Sequence, residues 1–337
     1  MENDLVPVCD QEGLMKRFMK YFGGLIIVLI VVFFLGPRPD TMDTPSFDKN
    51  SIGQDIDEYL AKNEASVPNL VPGAEKEIIW NNPSTREKTE LAIVYVHGFS
   101  ATKYETRPVS DNVAKALGAN LYYTRITGHG RDGAGLAEAS VVDWANDFAE
   151  AMAIGERIGE KIIIIATSNG GTISTWGLSK PELVEKVVGI AYMSPNFELQ
   201  GLSTSLANIP WAETILPILG GEERSWEPRN EEHGKWWTTS YPSRAIFPMT
   251  SMLKLIKQMD KSEINTPALF IYSPDDKVVV PGEIENFASQ WGAETVMEKI
   301  ASSDDPYHHV IAGDIMSPSN TDHVVQKIVE WVQSING

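Results

Sequence analysis

Three stretches of this 337-residue chain carry the residue types that nucleophilic catalysis needs. In Ile162-Ile163-Ile164-Ile165-Ala166-Thr167-Ser168-Asn169-Gly170-Gly171-Thr172, a serine sits among small residues directly behind four isoleucines. Ser273-Pro274-Asp275-Asp276-Lys277-Val278-Val279 supplies carboxylates, and Asp304-Asp305-Pro306-Tyr307-His308-His309-Val310-Ile311 supplies histidines. A serine hydroxyl is a weak nucleophile until a base takes its proton, and the base needs a third group to fix its tautomer and stabilise its charged form. Serine, then acid, then histidine in chain order therefore reads as a set for acyl transfer. Either carboxylate of the second stretch and either histidine of the third is available to it. Asp304 and Asp305 read as turn residues before Pro306, or as a substitute acid that orients the base.

These side chains need a scaffold that brings three distant loops together. Four consecutive β-branched residues are too short for a helix and read as a strand buried on both faces of a parallel sheet. A sharp turn from that strand into a helix projects Ser168 above the sheet, beside helix N-terminal N–H groups that can receive a developing negative charge. The usual pattern is G-x-S-x-G, and Ala166 stands where its first glycine would be. Taken alone, the pentapeptide also reads as a strand followed by an ordinary Ser/Asn helix cap.

Further strands are expected at Ile78–Trp80, at Leu91–Val96 before His97-Gly98-Phe99-Ser100, and at Leu121–Tyr123 before Thr127-Gly128-His129-Gly130. Others are expected at Val187–Met193, Ala268–Ser273 and Thr295–Ile300. Helical spacing predicts helices over Asp55–Ala65, Val141–Ile158, Gly171–Ser179, Ser251–Met259 and Glu283–Trp291, and a last one with Val325, Ile328, Val332 and Ile335 on one face. Ser140 and Asp143 form a capping box ahead of the second of these. Such alternation predicts an α/β fold: a mostly parallel, doubly wound sheet with helices on both faces. Residues 196–266 interrupt it with Trp211, Trp226, Trp236 and Trp237. That stretch is too long for a simple loop and too aromatic for disorder, so it reads as a cap inserted over the sheet.

A formal net charge of −18 argues against nucleic-acid binding, which needs clustered Lys and Arg. The single cysteine, Cys9, permits no intrachain disulfide. Residues 21–36 run without a charge behind Lys16, Arg17 and Lys20, and no small-residue cleavage site precedes Pro37-Arg38. This predicts an uncleaved signal anchor at 21–37, with residues 1–20 cytoplasmic, an arm at 38–74, and a catalytic domain at 75–337 on the far, periplasmic side of the membrane. No H-E-x-x-H or paired C-x-x-C is present, and no G-x-G-x-x-G follows the first strand, so neither a metal nor a dinucleotide cofactor is expected. His97 and His129, beside glycines, are expected to make structural hydrogen bonds, and His323 to be solvated or packed.

From about residue 75 onward the chain resembles the α/β-hydrolase superfamily, nearest in layout to bacterial carboxylesterases and monoacylglycerol lipases with a small helical cap. The resemblance maps the family's acid, followed by x-V-V, onto Asp276 rather than Asp275. It maps the histidine that precedes an aliphatic pair onto His309 rather than His308. Its H-G-x loop falls on His97-Gly98-Phe99, which implies an oxyanion hole made of the Phe99 and Asn169 N–H groups. Ala166 and Ser273 depart from the family pattern, and neither departure removes a reacting group. The implied activity is that of a membrane-anchored serine hydrolase of carboxylic esters, with short to medium acyl esters or monoacylglycerols as substrates and no cofactor. A peptidase or thioesterase would use the same residues. A catalytically silent hydrolase fold serving as a binding module is the alternative from another class.

Overall fold

In the computed structural model, which describes residues 11–201 and 204–336, the β-branched and aromatic runs form the strands. In chain order these are β1 (Glu77–Ile79), β2 (Thr89–Val96), β3 (Asn120–Tyr123), β4 (Gly159–Thr167), β5 (Val187–Met193), β6 (Glu223–Ser225), β7 (Ser240–Pro242), β8 (Ala268–Tyr272) and β9 (Thr295–Lys299). Seven of them make one sheet in the order β1-β3-β2-β4-β5-β8-β9, parallel throughout except for β1, which runs antiparallel to β3 at the edge. The isoleucine strand is therefore central. Ile162 to Ile165 are each at most 1 % exposed, and each such burial stabilises by roughly 1.5–3 kcal/mol over exposure.

Because successive strand side chains alternate between faces, the run feeds two separate cores. Ile162 and Ile164 pack with Val94, Trp144, Phe148 and Trp176, while Ile163 and Ile165 pack with Val113, Val324, Ile328 and Val332. The helices supplying those partners flank the sheet. After α1 (Gln11–Phe34) and α2 (Ile56–Ala65) come α3 (Val109–Leu117), α4 (Gly133–Leu136), α5 (Val141–Ile158) and α6 (Asn169–Leu178). Next are α7 (Thr204–Ala207), α8 (Ala212–Gly220), α9 (Glu231–Trp236), α10 (Phe247–Gln258), α11 (Pro281–Ser289) and α12 (Thr321–Asn336).

Most elements fall where the periodicity places them, and α5 carries the Ser140–Asp143 capping box. Three differences have physical causes. The sequence reading assigns nothing between Ser100 and Leu121, yet α3 forms there, since one face (Val109, Val113, Ala114) has the hydrophobic layer opposite α5 to fill. Helices α10 and α11 start earlier than their apolar spacing suggests because Pro248 and Pro281 sit in their first turns, where the missing N–H costs nothing. Helix α6 begins at Asn169, immediately after the serine.

Residues of the insertion close over the sheet. Strands β6 and β7 pair antiparallel on either side of α9, Trp236 stacks on Tyr104 at 3.7 Å, and Tyr241 packs edge-on against Phe99 at 5.4 Å. Trp236 and Trp237 are buried, whereas Trp226 is 36 % exposed. Residues 38–74 are tied to the domain: Asp43 accepts from Trp176 Nε1 (2.7 Å) and Lys180 Nζ (2.9 Å), and Glu64 makes a buried ion pair with Arg125 at 2.6 Å. Among the described residues, Met15–Phe34 is the one helix long and apolar enough to cross a membrane, with mean hydropathy 2.0, and it is solvent-exposed in the chain by itself. Cys9 lies outside the described residues.

Candidate active site

Ser168 follows β4 in a backbone conformation of φ 49° and ψ −117°, a region that side chains seldom occupy and that functional turns retain. Its N–H donates to Met193 O at 3.1 Å, which fixes the turn to the neighbouring strand. The turn is this sharp because α6 comes very close to β2. A Cβ on Gly170 would lie 2.1 Å from Val96 O, so only glycine fits. Ala166 is fully buried and in register between Val96 and Tyr192, so its methyl group is absorbed within the sheet.

The structure brings Ser168, His309 and Asp276 into one hydrogen-bonded line. His309 Nε2 is 2.9 Å from Ser168 Oγ, and His309 Nδ1 is 2.8 Å from Asp276 Oδ2. A carboxylate only accepts, so Nδ1 carries the proton and Nε2 is free to accept from the serine hydroxyl. The other Asp276 oxygen, Oδ1, accepts the N–H groups of Val278 (2.8 Å) and Val279 (2.9 Å), which is what the two valines' positions contribute. Asp275 and His308 are not in this line. Asp275 is exposed, with its N–H donating to Ser273 Oγ at 3.2 Å, and His308 turns away at φ 54° toward Ser303 Oγ. Burial disfavours a charged His309 ring, but the charge and hydrogen bond of Asp276 outweigh it, and the His309 pKa is raised above the ordinary 6.5.

Asp305 is a turn residue before Pro306, as the sequence suggests, and its carboxylate also reaches beyond that turn. Its Oδ2 accepts the N–H groups of His309 and Val310, each at 3.0 Å, and its Oδ1 accepts that of Tyr307 at 3.0 Å. Arg229 Nη1 lies 2.9 Å from Oδ1, off the N–H axis, and balances the buried charge. Asp305 therefore holds the backbone of the base's loop and leaves its ring to Asp276.

The loop after β2 is anchored by two buried side chains. His97 Nδ1–H donates to Gly98 O (2.9 Å) while Nε2 accepts from the Ile126 N–H (3.0 Å), and burial lowers its pKa to about 4, so the ring is neutral. His129 packs edge-on against His97 at 4.9 Å and is kept neutral by the same burial. The second anchor is Glu105, which the sequence reading did not single out. Glu105 is 3 % exposed, and its Oε2 accepts the Gly98 N–H at 2.6 Å and the Tyr95 hydroxyl at 3.3 Å. Burial pushes its pKa up to about 7, against the opposing pull of the Gly98 N–H and of His309. Its signal is tertiary, because a lone acid in a loop has no spacing to mark it. Phe99 follows directly in this loop, and Asn169 opens α6, so the Asn169 N–H is one of the first-turn donors with no intrahelical acceptor.

Ser168, His309, Phe99 and Glu105 line one cavity of about 660 Å³, roofed by the inserted segment through residues such as Trp226 and Tyr241. Such a cavity suits a small molecule with an apolar body. Among the described residues no cluster of His, Cys, Asp or Glu is arranged to hold a metal ion.

Comparison with known proteins points the same way. The family described as serine aminopeptidase, S33 (Hydrolase_4) matches residues 87–313. A thermostable monoacylglycerol lipase from Bacillus sp. (strain H-257) is 23 % identical over 208 residues, spanning 60 % of this chain and 77 % of that protein. A metagenome-derived lipolytic enzyme from the LipS and LipT study superposes with a TM-score of 0.64 at 19 % identity, covering 79 % of this chain and 99 % of its own. The monoacylglycerol lipase of Paleococcus ferrophilus gives 0.57 at 14 % identity, covering 77 % and 98 %. At these identities the superpositions establish the fold, the α/β-hydrolase fold.

Proposed function

The chain belongs to the Hydrolase_4 family of α/β-hydrolases, and on that premise we propose that it is a serine hydrolase of carboxylic esters. The observation that carries this reading is the Ser168–His309–Asp276 hydrogen-bond line, whose Ser168 and His309 open onto the cavity. In the proposed reaction His309 Nε2 takes the Ser168 proton as Oγ attacks the ester carbonyl. The resulting oxyanion rests on the N–H groups of Phe99 and Asn169, an arrangement in which one donor is worth about 2.7–4 kcal/mol. Collapse breaks the bond to the alcohol oxygen, and the alcohol leaves with the proton held on His309. Water then gives its proton to His309 and attacks the acyl-enzyme, releasing the acid and restoring Ser168. Asp276 holds the ring and stabilises its charged form throughout. The Bacillus relative's name, monoacylglycerol lipase, supports monoacylglycerols among the candidate esters.

The test is hydrolysis of p-nitrophenyl esters and monoacylglycerols of graded acyl length, set beside an aminoacyl p-nitroanilide and a thioester. Ester turnover that exceeds amide and thioester turnover is expected, and exclusive cleavage of the anilide would replace this reading with a peptidase. In the same assay kcat/KM should fall as pH drops, because a protonated His309 is no base. With its pKa raised, the half-maximal point of that fall lies above pH 6.5. A limb centred well below that value would contradict the Asp276–His309 coupling.

We further infer that α1 anchors the protein in a membrane, with the hydrolase domain on the side opposite the basic Lys16–Lys20 flank. The full chain should stay with membranes after carbonate extraction, and release into the supernatant would overturn the anchor.

A further inference from the structure

The cavity carries a cation without a counter-charge. Arg224 is the middle residue of β6, flanked by the outward-facing, exposed Glu223 and Ser225, and is in register with Tyr241 of β7. Residues opposite each other on paired strands share a face, so Arg224 turns inward on the side where Tyr241 packs against Phe99. Its Nε is buried without an acceptor, and Arg224 forms no ion pair among the described residues.

The other two bases of the lining are engaged. Arg229 lies against Asp305 and over the Tyr307 ring at 4.5 Å, and Lys277 Nζ donates to Pro306 O at 3.0 Å. Glu227 lines the same cavity yet makes no ion pair with Arg224. In a chain with 46 acidic against 28 basic side chains, a half-buried guanidinium left unpaired inside the cavity is the exception. A guanidinium in that position suits bidentate recognition of a carboxylate or a phosphate. Ile246, Met249, Leu199 and Val278 line the same cavity and offer apolar surface for the rest of a ligand.

We propose that the cavity takes esters that carry an anionic group, carboxylate or phosphate, and that Arg224 receives that group. This rests on the ester-hydrolase reading above and narrows its substrate class. The test is calorimetric binding to the full chain carrying Ser168→Ala, so that no turnover intervenes. Two matched pairs are compared: mono-p-nitrophenyl adipate against p-nitrophenyl hexanoate, and monohexanoyl glycerol phosphate against monohexanoyl glycerol. The first pair places a carboxylate on the acyl part, and the second a phosphate on the alcohol part.

At least one anionic ester should bind roughly tenfold tighter than its neutral partner, as a charge-assisted contact allows. Adding Arg224→Gln should remove that ratio and Arg224→Lys should restore part of it. The neutral ester measured on each variant reports whether the cavity is still formed. Equal binding within both pairs, or a preference that survives Arg224→Gln, would overturn the proposal. The two readings fail separately. Turnover of neutral esters without an anionic preference sinks only this one, whereas an Arg224-dependent preference in a protein that turns over none of the four esters sinks only the hydrolase.

Discussion

Replacing Ser168 with alanine should lower kcat on any ester by about 10⁶-fold while leaving the fold intact. The magnitude follows from what is lost. Without Oγ there is no acyl-enzyme, and only the oxyanion donors and ordinary binding remain to help water. Retention of the fold follows from the turn itself. The contacts that hold it are backbone ones, Ser168 N–H to Met193 O and the Asn196 N–H to Ser168 O, and alanine keeps both. The positive φ is tolerated by serine already and is no harder for alanine to adopt. Steady-state hydrolysis with a circular dichroism control checks this. Activity within tenfold of the parent would move the nucleophile elsewhere.

The second large effect belongs to Asp276→Asn, expected to cost about 10⁴-fold in kcat with little change in KM or stability. Position Oδ1 receives two backbone N–H groups, from Val278 and Val279. In the variant those donors require the amide oxygen at Oδ1, which turns the amide NH₂ toward His309 Nδ1. His309 must then accept at Nδ1 and carry its proton on Nε2, facing Ser168, and a protonated Nε2 cannot take the serine's proton. The loss comes from the wrong tautomer rather than from disorder. It should ease as pH rises far enough for the serine alkoxide to form without the base. Asp275→Asn serves as the contrast, because that exposed side chain touches neither partner. A loss from Asp275→Asn equal to that from Asp276→Asn would contradict the assignment.

How far the sequence revealed the molecule depended on whether a residue's signal was local. The four isoleucines announced a doubly buried strand because β-branching and length are local properties, and the alternation of such runs with helical spacing carried the sheet and its layers. The serine, the acid and the histidine were legible because each follows a strand of the parallel sheet, which presents its loops at one edge. The choice between neighbours needed more. Asp275 and Asp276 have the same chemistry, and what separates them is the turn in which Val278 and Val279 clamp one of the two. Glu105 left no trace in the sequence, since its partners, Gly98 and Tyr95, meet it only once the loop folds back over β2. The chemistry of Asp305 is local, whereas its hold on the His309 backbone exists only in the folded loop. Arg224 carries no local signal inside the insertion, because an unpaired charge is defined by what surrounds it.

The most direct measurement of the central claim is labelling of the full chain with a fluorophosphonate probe at neutral pH, followed by peptide mapping. An activated serine displaces fluoride and keeps the phosphonate, whereas an ordinary hydroxyl does not react. One adduct per chain, on Ser168, is expected, with none in Ser168→Ala and strongly slowed labelling in Asp276→Asn. No adduct on a folded chain that also hydrolyses no ester, or an adduct on another residue, would contradict the account and favour a hydrolase fold used for binding.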